Sequence, residues 1–344
     1  MMRVLACGQL NTVQDLGRLG QRAIGVGTAG AMDQMAFVLG NRLVGNPPGF
    51  AGIELTLPPF RVRFARDTLV ALTGADFQAE LDGVRIPAWS GIKAQTGQRL
   101  EITRPPCHGA RGYLCVQGGI NVPTSMGSRS TDLKGAFGGF QGRGLQKGDR
   151  IYTQPGEYAE LWATNPYPTL SSPPYGLSTG LADFTRDACL PVRVLPAAEY
   201  AWMDQASQET FWDAEWTITP ASNRMGYRMA GPSLAFRAGS SRELMSHGIL
   251  NGVIQLPPSR QPIIQLHDSN TVGGYPKIGG VISADLRVLA QAPLGARIRF
   301  VQVDYEKAVQ ALRQEKRLMV DQCAHIASLL PRQSAAAGPA GHQA

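Results

Sequence analysis

Residues 60–64 read F-R-V-R-F, and residues 68–73 read T-L-V-A-L-T. Both are short strand-like runs of the kind a β-sheet uses. Similar runs follow along the chain: R-L-E-I-T (99–103), G-Y-L-C-V-Q (112–117), P-V-R-V-L (191–195), W-T-I-T (216–219), G-V-I-Q-L (252–256) and A-R-I-R-F-V (296–301). The 40 glycines and 24 prolines are dispersed between them and punctuate turns. The pattern predicts a mainly β protein. Two stretches depart from it. Met32 to Leu43 places Met35, Leu39 and Leu43 at helical spacing, and Tyr305 to Leu330 is rich in Ala, Glu, Lys, Arg and Leu.

The stretch N-P-Y-P-T-L-S-S-P-P-Y-G (165–176) reads as a linker, because its prolines supply no ladder donors. It divides the chain into an N-terminal β-barrel domain (1–165) and a C-terminal one (177–303). A C-terminal helix (304–330) and a disordered tail (331–344) follow. Two echoes in order, G-R-L-G-Q-R (17–22) with N-R-M-G-Y-R (223–228) and L-P-P-F (57–60) with L-P-P-S (256–259), point to two barrels of similar plan.

A chain of 344 residues with 43% hydrophobic residues can bury a sizeable core. The formal charge of +7 is spread out, with no clustered basic block. That argues against nucleic-acid binding and is compatible with small anionic ligands. Five scattered cysteines without a C-x-x-C pair argue against a zinc site or disulfide framework and point to free thiols in a reducing compartment. No apolar run approaches the roughly 20 residues of a membrane span. The expectation is a cytoplasmic protein without a metal.

Five polar clusters are candidates for chemistry. In T-V-Q-D-L-G-R-L-G-Q-R (12–22), Asp15 and Arg18 are spaced to pair across a turn, as structure or as part of a site. Asp33 closes G-A-M-D (30–33). The segment 116–132 brings Ser128, Arg129, Ser130, Thr131 and Asp132 into a glycine-rich loop, either flexible or facing a ligand. In S-N-R-M-G-Y-R (222–228), Asn223 and Arg224 offer an amide and a planar cation. His247 stands alone and reads as structural. The last cluster is D-S-N-T-V-G-G-Y-P-K (268–277). Asp268, Tyr275 and Lys277 are its candidate catalytic groups. Asn270 and the close-approach glycines Gly273 and Gly274 are candidate substrate contacts, with Asp15, Arg18, Asp33, Asn223 and Arg224. There is no G-x-x-x-x-G-K-[ST] phosphate loop, no H-E-x-x-H and no G-x-S-x-G.

Taken in order, T-V-Q-D-L-G-R-L-G, G-A-M-D, the G-G-I before the glycine-rich loop, S-N-R-M-G-Y-R-x-x-G-P and D-S-N-T-V-G-G-Y-P-K-I-G-G-V-I-S-A-D-L resemble the biotin-dependent carboxyltransferase or allophanate hydrolase subunit 2 family. The resemblance covers about residues 2 to 303. It implies two cyclophilin-like β-barrel domains. It also implies a role as the C component of an ATP-dependent 5-oxoprolinase. Such a chain would cleave 5-oxo-L-proline to L-glutamate together with an A component and a KipI-type B component, and would be inactive alone. Other roles in the family are a KipA-type antagonist of a kinase inhibitor and one component of a biotin-linked urea or allophanate enzyme. No A-M-K-M biotinyl motif occurs here, so no covalently bound biotin is expected on this chain, and ATP is expected to be used by the complex. The chain departs from the family's D-x-Q-T-T-G-G-Y at Asn270, which shortens an amide side chain, and at Val272, which loses a hydroxyl.

Overall fold

The structure is a computed structural model that describes residues 1–154, 189–240 and 243–330. The linker expected at 165–176 and the tail at 331–344 lie outside the described residues.

The N-terminal half contains β1 (Met2–Cys7), β2 (Thr12–Gln14), α1 (Gln34–Leu43), β3 (Gly52–Leu55), β4 (Phe60–Phe64), β5 (Thr68–Asp76), β6 (Glu80–Leu81), β7 (Val84–Arg85), β8 (Ser90–Ala94), β9 (Arg99–Ile102), β10 (His108–Val116) and β11 (Arg150–Ile151). They form a six-stranded sheet, β11-β1-β4-β9-β6-β7, and a five-stranded sheet, β2-β3-β10-β5-β8. One core lies between them, with Phe60, Val62 and Phe64 from the first sheet and Val70, Leu72 and Leu114 from the second.

The two runs at 60–64 and 68–73 show why the two sheets differ. In β4 the arginines alternate outward, so only one face is apolar. In β5 residues 69–75 are all buried. Val70 and Leu72 enter the shared core, while Leu69 and Ala71 face α1 on the opposite side. A strand covered on both faces reads as a nearly continuous apolar run.

The C-terminal half contains β12 (Cys189–Pro196), α2 (Gln205–Asp213), β13 (Trp216–Ile218), β14 (Gly226–Ala230), β15 (His247–Gly248), β16 (Val253–Gln255), β17 (Ile263–Gln265), β18 (Val272–Gly273), β19 (Lys277–Val281), α3 (Leu286–Gln291) and β20 (Arg297–Gln302), followed by α4 (Tyr305–Leu329). Seven strands close a barrel in the order β12-β19-β16-β17-β14-β13-β20, and β15 pairs with β18 outside it. Phe211, Trp216, Ile254, Ile264, Ile298 and Phe300 fill the barrel. The halves therefore differ in closure: the barrel is closed in the second, and the first encloses its core with two sheets.

Helix α4 fastens the halves together. Near its start, Ala308 and Ala311 pack on Ile282 and Ala284 of the C-terminal half. Near its end, Leu318, Met319, Cys323 and Ile326 pack on α1 residues of the N-terminal half. Asp304 caps it by accepting from Lys307 N. Among the described residues no helix is long and apolar enough to cross a membrane. All five cysteines are unpaired.

Candidate functional site at the junction of the halves

Arg224 is buried at the start of the turn that leads into β14, where the halves meet. Its Nε and Nη2 donate to the two oxygens of Asp268 at 2.8 and 2.9 Å. Its Nη1 donates to Glu54 of β3, and its Nη2 also donates to Gly30 O at 2.8 Å. Gly30 has φ +86°, and a Cβ there would lie 2.8 Å from the Gly17 backbone, so glycine is required where the chain turns toward Arg224. Burial alone would lower the Arg224 pKa, but Asp268 and Glu54 outweigh it and raise it. Burial likewise opposes ionisation of Glu54, yet Arg224 and Arg111 hold its pKa below the usual carboxylate value.

The network extends outward from Glu54. Its Oε2 accepts from Met32 N at 2.9 Å and from the Tyr113 hydroxyl at 3.0 Å. Asp33 N donates to the Tyr113 oxygen at 2.8 Å. Asp33 caps α1 by accepting from Ala36 N, and its other oxygen accepts from Gln291 of α3 at 2.7 Å. Arg111 of β10 donates to the Tyr227 hydroxyl at 2.8 Å and to Ala290 O at 2.6 Å. These bonds join strands of one half to the barrel of the other. The buried carboxylates of Glu54 and Asp268 are matched by Arg224 and Arg111, the condition for a buried ionic network to be tolerated.

Asp15 and Arg18 do not form the pair their spacing invited. Asp15 accepts from Ser128 Oγ at 2.7 Å, from Gly17 N at 2.8 Å, and from Ser130 Oγ and Arg129 N. Arg18 donates to Ser125 O and Ser130 O and lies over the Phe137 ring. Both residues hold the 125–130 segment, whose serines are buried at 128 and 130. That loop is thus folded around Asp15 rather than spread as a flexible surface.

The motif at 268–277 is divided between two environments. Asp268 points into the junction. Asn270 is exposed; its Oδ1 accepts from Lys134 and its carbonyl from Arg22. Gly273 pairs with His247 across β15 and β18, and a Cβ there would collide with Ile249 Cδ1. A Cβ on Gly274 would lie 2.5 Å from Leu244 O. These glycines let the 244–249 segment pack closely. Tyr275 is exposed, and Lys277 donates to Gly248 O at 2.7 Å. Burial, only partly offset by Glu199, lowers the Lys277 pKa. Asn223 closes a local turn by accepting from Met225 N. The structure therefore brings Asp268 and Arg224 together, and sets Tyr275 and Lys277 beside the β15–β18 pair.

Beside the junction, between the halves and α4, lies a cleft of about 460 Å³. Its polar lining includes Arg22, Asn251, His267, Arg287, Glu315 and Lys316. None of the sequence-predicted site residues lines it, although Met32 and His267 are the immediate chain neighbours of Asp33 and Asp268. Arg287 Nε lies 3.6 Å from Glu315. Burial raises the Glu315 pKa to about 7, with Arg287 opposing the rise and Asp33 and Asp285 adding to it. His267 is buried beside Arg224, and burial first, then that positive charge, lowers its pKa to about 4. Among the described residues no cluster of His, Cys, Asp and Glu has the arrangement of a metal site.

The family model for the carboxyltransferase domain, subdomain A and B, matches residues 24–302. The chain belongs to this family. It is similar to the C subunit of 5-oxoprolinase from Escherichia coli (strain K12), 41% identical over 319 residues, which are 92% of this chain and 96% of that protein. The C subunit of 5-oxoprolinase from Haemophilus influenzae is 38% identical over 327 residues, covering 95% of this chain and 98% of that protein. Among solved structures, the urea amidolyase of K. lactis superposes with a TM-score of 0.81 at 27% identity, over 93% of this chain and 20% of that one. The α4 helix lies beyond the residues matched by the family model, yet it supplies Leu312, Glu315, Lys316 and Met319 to the cleft.

Proposed function

We propose that this chain is the C component of an ATP-dependent 5-oxoprolinase, acting with an A component and a KipI-type B component to cleave 5-oxo-L-proline to L-glutamate. The observation that carries the reading is the similarity to the C subunit of 5-oxoprolinase over nearly the full length of both chains. The junction fits such a role: a rigid charge network positions a cleft large enough for a small amide acid, with cations in its lining. No phosphate loop occurs in this sequence, which supports placing ATP use in a partner protein. Tyr275 and Lys277 stand at the surface beside the β15–β18 pair, within reach of a substrate or of a partner. Asp268 in this arrangement works by fixing Arg224 and the start of its own motif, and so acts as a positioning residue. Purified chain, mixed with its two partners, should restore 5-oxoproline-dependent ATP hydrolysis that each part lacks alone. A mixture that stays inactive with 5-oxoproline but transfers the carboxyl group of a carboxylated biotin carrier to urea would favour the second reading, a carboxyltransferase component, which the likeness to urea amidolyase supports.

A further inference from the structure

Within the cleft the packing leaves one ring unsatisfied. His267 lines it and is 5% exposed, and its Nδ1 is buried without a hydrogen-bond partner among the described residues. A neutral imidazole carries one N–H and one lone pair. A buried lone pair without a donor is tolerated better than a buried N–H without an acceptor. The proton therefore belongs on Nε2, which leaves the ring a donor to offer.

The surrounding charge is unbalanced in the same direction. Arg22 donates to the carbonyls of Ile249 and Asn270 and has no carboxylate partner among the described residues. Lys316 is exposed on α4. Arg287 is matched by Glu315, the single carboxylate among the residues of the lining. Two cations thus remain for a ligand.

We propose that this cleft binds a small organic acid that also carries an amide, with Arg22 and Lys316 holding the carboxylate and His267 Nε2–H donating to the amide carbonyl. The proposal rests on the functional reading above, since 5-oxoproline is a cyclic amide with one carboxylate. It assigns part of the specificity to α4, which lies outside the matched family region.

Calorimetric titration of the full-length chain with 5-oxo-L-proline tests it, with 2-pyrrolidinone as the same ring without a carboxylate. Lys316→Ala should weaken 5-oxoproline about fivefold, the size of one partly solvated ion pair, and leave 2-pyrrolidinone unchanged. His267→Leu should weaken both ligands about tenfold, the loss of one hydrogen bond. Lys316 is a surface residue, so its variant remains readable even if His267→Leu folds poorly. No binding by the wild-type chain, or binding that neither substitution changes, overturns the site. A reconstituted complex that cleaves 5-oxoproline at the wild-type rate with both substitutions also overturns it, and leaves the functional reading standing. An inactive complex together with binding that is lost in the variants supports the site and removes the functional reading.

Discussion

Arg224 stands buried between Asp268 and Glu54, so its removal strands the Asp268 carboxylate away from water and leaves Glu54 with Arg111 at 3.8 Å as its cation. Arg224→Ala should cost about 3 to 5 kcal/mol in urea unfolding, the range for breaking a buried pair from one side. Arg224→Lys should not restore the wild type, because one ammonium cannot reproduce the fork that reaches Asp268, Glu54 and Gly30 together. Two titrating groups near the cleft act in opposite senses. His267 has a folded pKa of about 4 against an ordinary 6.5, so the unfolded chain binds the proton first and stability falls as pH drops from about 6.5 to 4. Glu315 has a folded pKa of about 7 against an ordinary 4.5, so the folded chain keeps its proton longer and stability falls as pH rises from about 4.5 to 7. Each contributes at most about 3 kcal/mol over its window. Glu315→Gln should remove the loss on the rising side and leave the acid side in place, as read from urea midpoints at several pH values. Lys277→Ala should lower activity of the assembled complex at least about tenfold, or 1.4 kcal/mol in the barrier, with the thermal midpoint nearly unchanged. Full activity in that variant would rule out the role beside a substrate or partner proposed for Lys277. Arg224 and Asp268 were legible as polar residues in distinctive motifs. Their pairing was not, because 44 residues separate them. Glu54 and His267 gave no local signal, since each sits in an ordinary run; Arg22 ends the 12–22 cluster, but only the fold brings it to the cleft.

At the scale of elements, α4 is where sequence and structure agree most closely, and its location was still not readable. Its composition announced a helix from Tyr305, and the helix runs from Tyr305 to Leu329. That it would span both halves depends on which residues of its partly polar surface meet Ala284 at one end and α1 at the other. Ile326 is fully buried among α1 residues. Ile326→Ala should therefore cost about 3 kcal/mol in chemical denaturation, as for other large-to-small core changes. A cost below about 0.5 kcal/mol would show that the helix end is not docked. The strand runs from 60–64 to 296–301 all fell on strands, because alternation against a core is a local property. Helices α2 and α3 were missed. The α3 helix has six residues, too few for a periodic signal, and α2 is largely polar with only Ser207 and Phe211 buried.

For the whole molecule, the mainly β class and the C-terminal helix were legible, and the different closure of the sheets in the two halves was not. Closure depends on which strand ends pair across the sequence, as when β12 pairs in parallel with β20, far along the chain. The short echoes between the halves do carry two buried arginines, Arg18 and Arg224, but their local structure and partners differ. The junction is the product of the entire fold, with Gln291, Arg111, Tyr227 and Asp33 tying the barrel to the sheets. In the proposed function this junction serves a multi-protein, amide-cleaving enzyme. That claim is tested by release of L-glutamate from 5-oxo-L-proline by the purified chain, with and without its two partners, in the presence of ATP. Glutamate release should require ATP, the partners and this chain together. Turnover by the isolated chain, or an assembled complex that works equally well when this chain is left out, would contradict it.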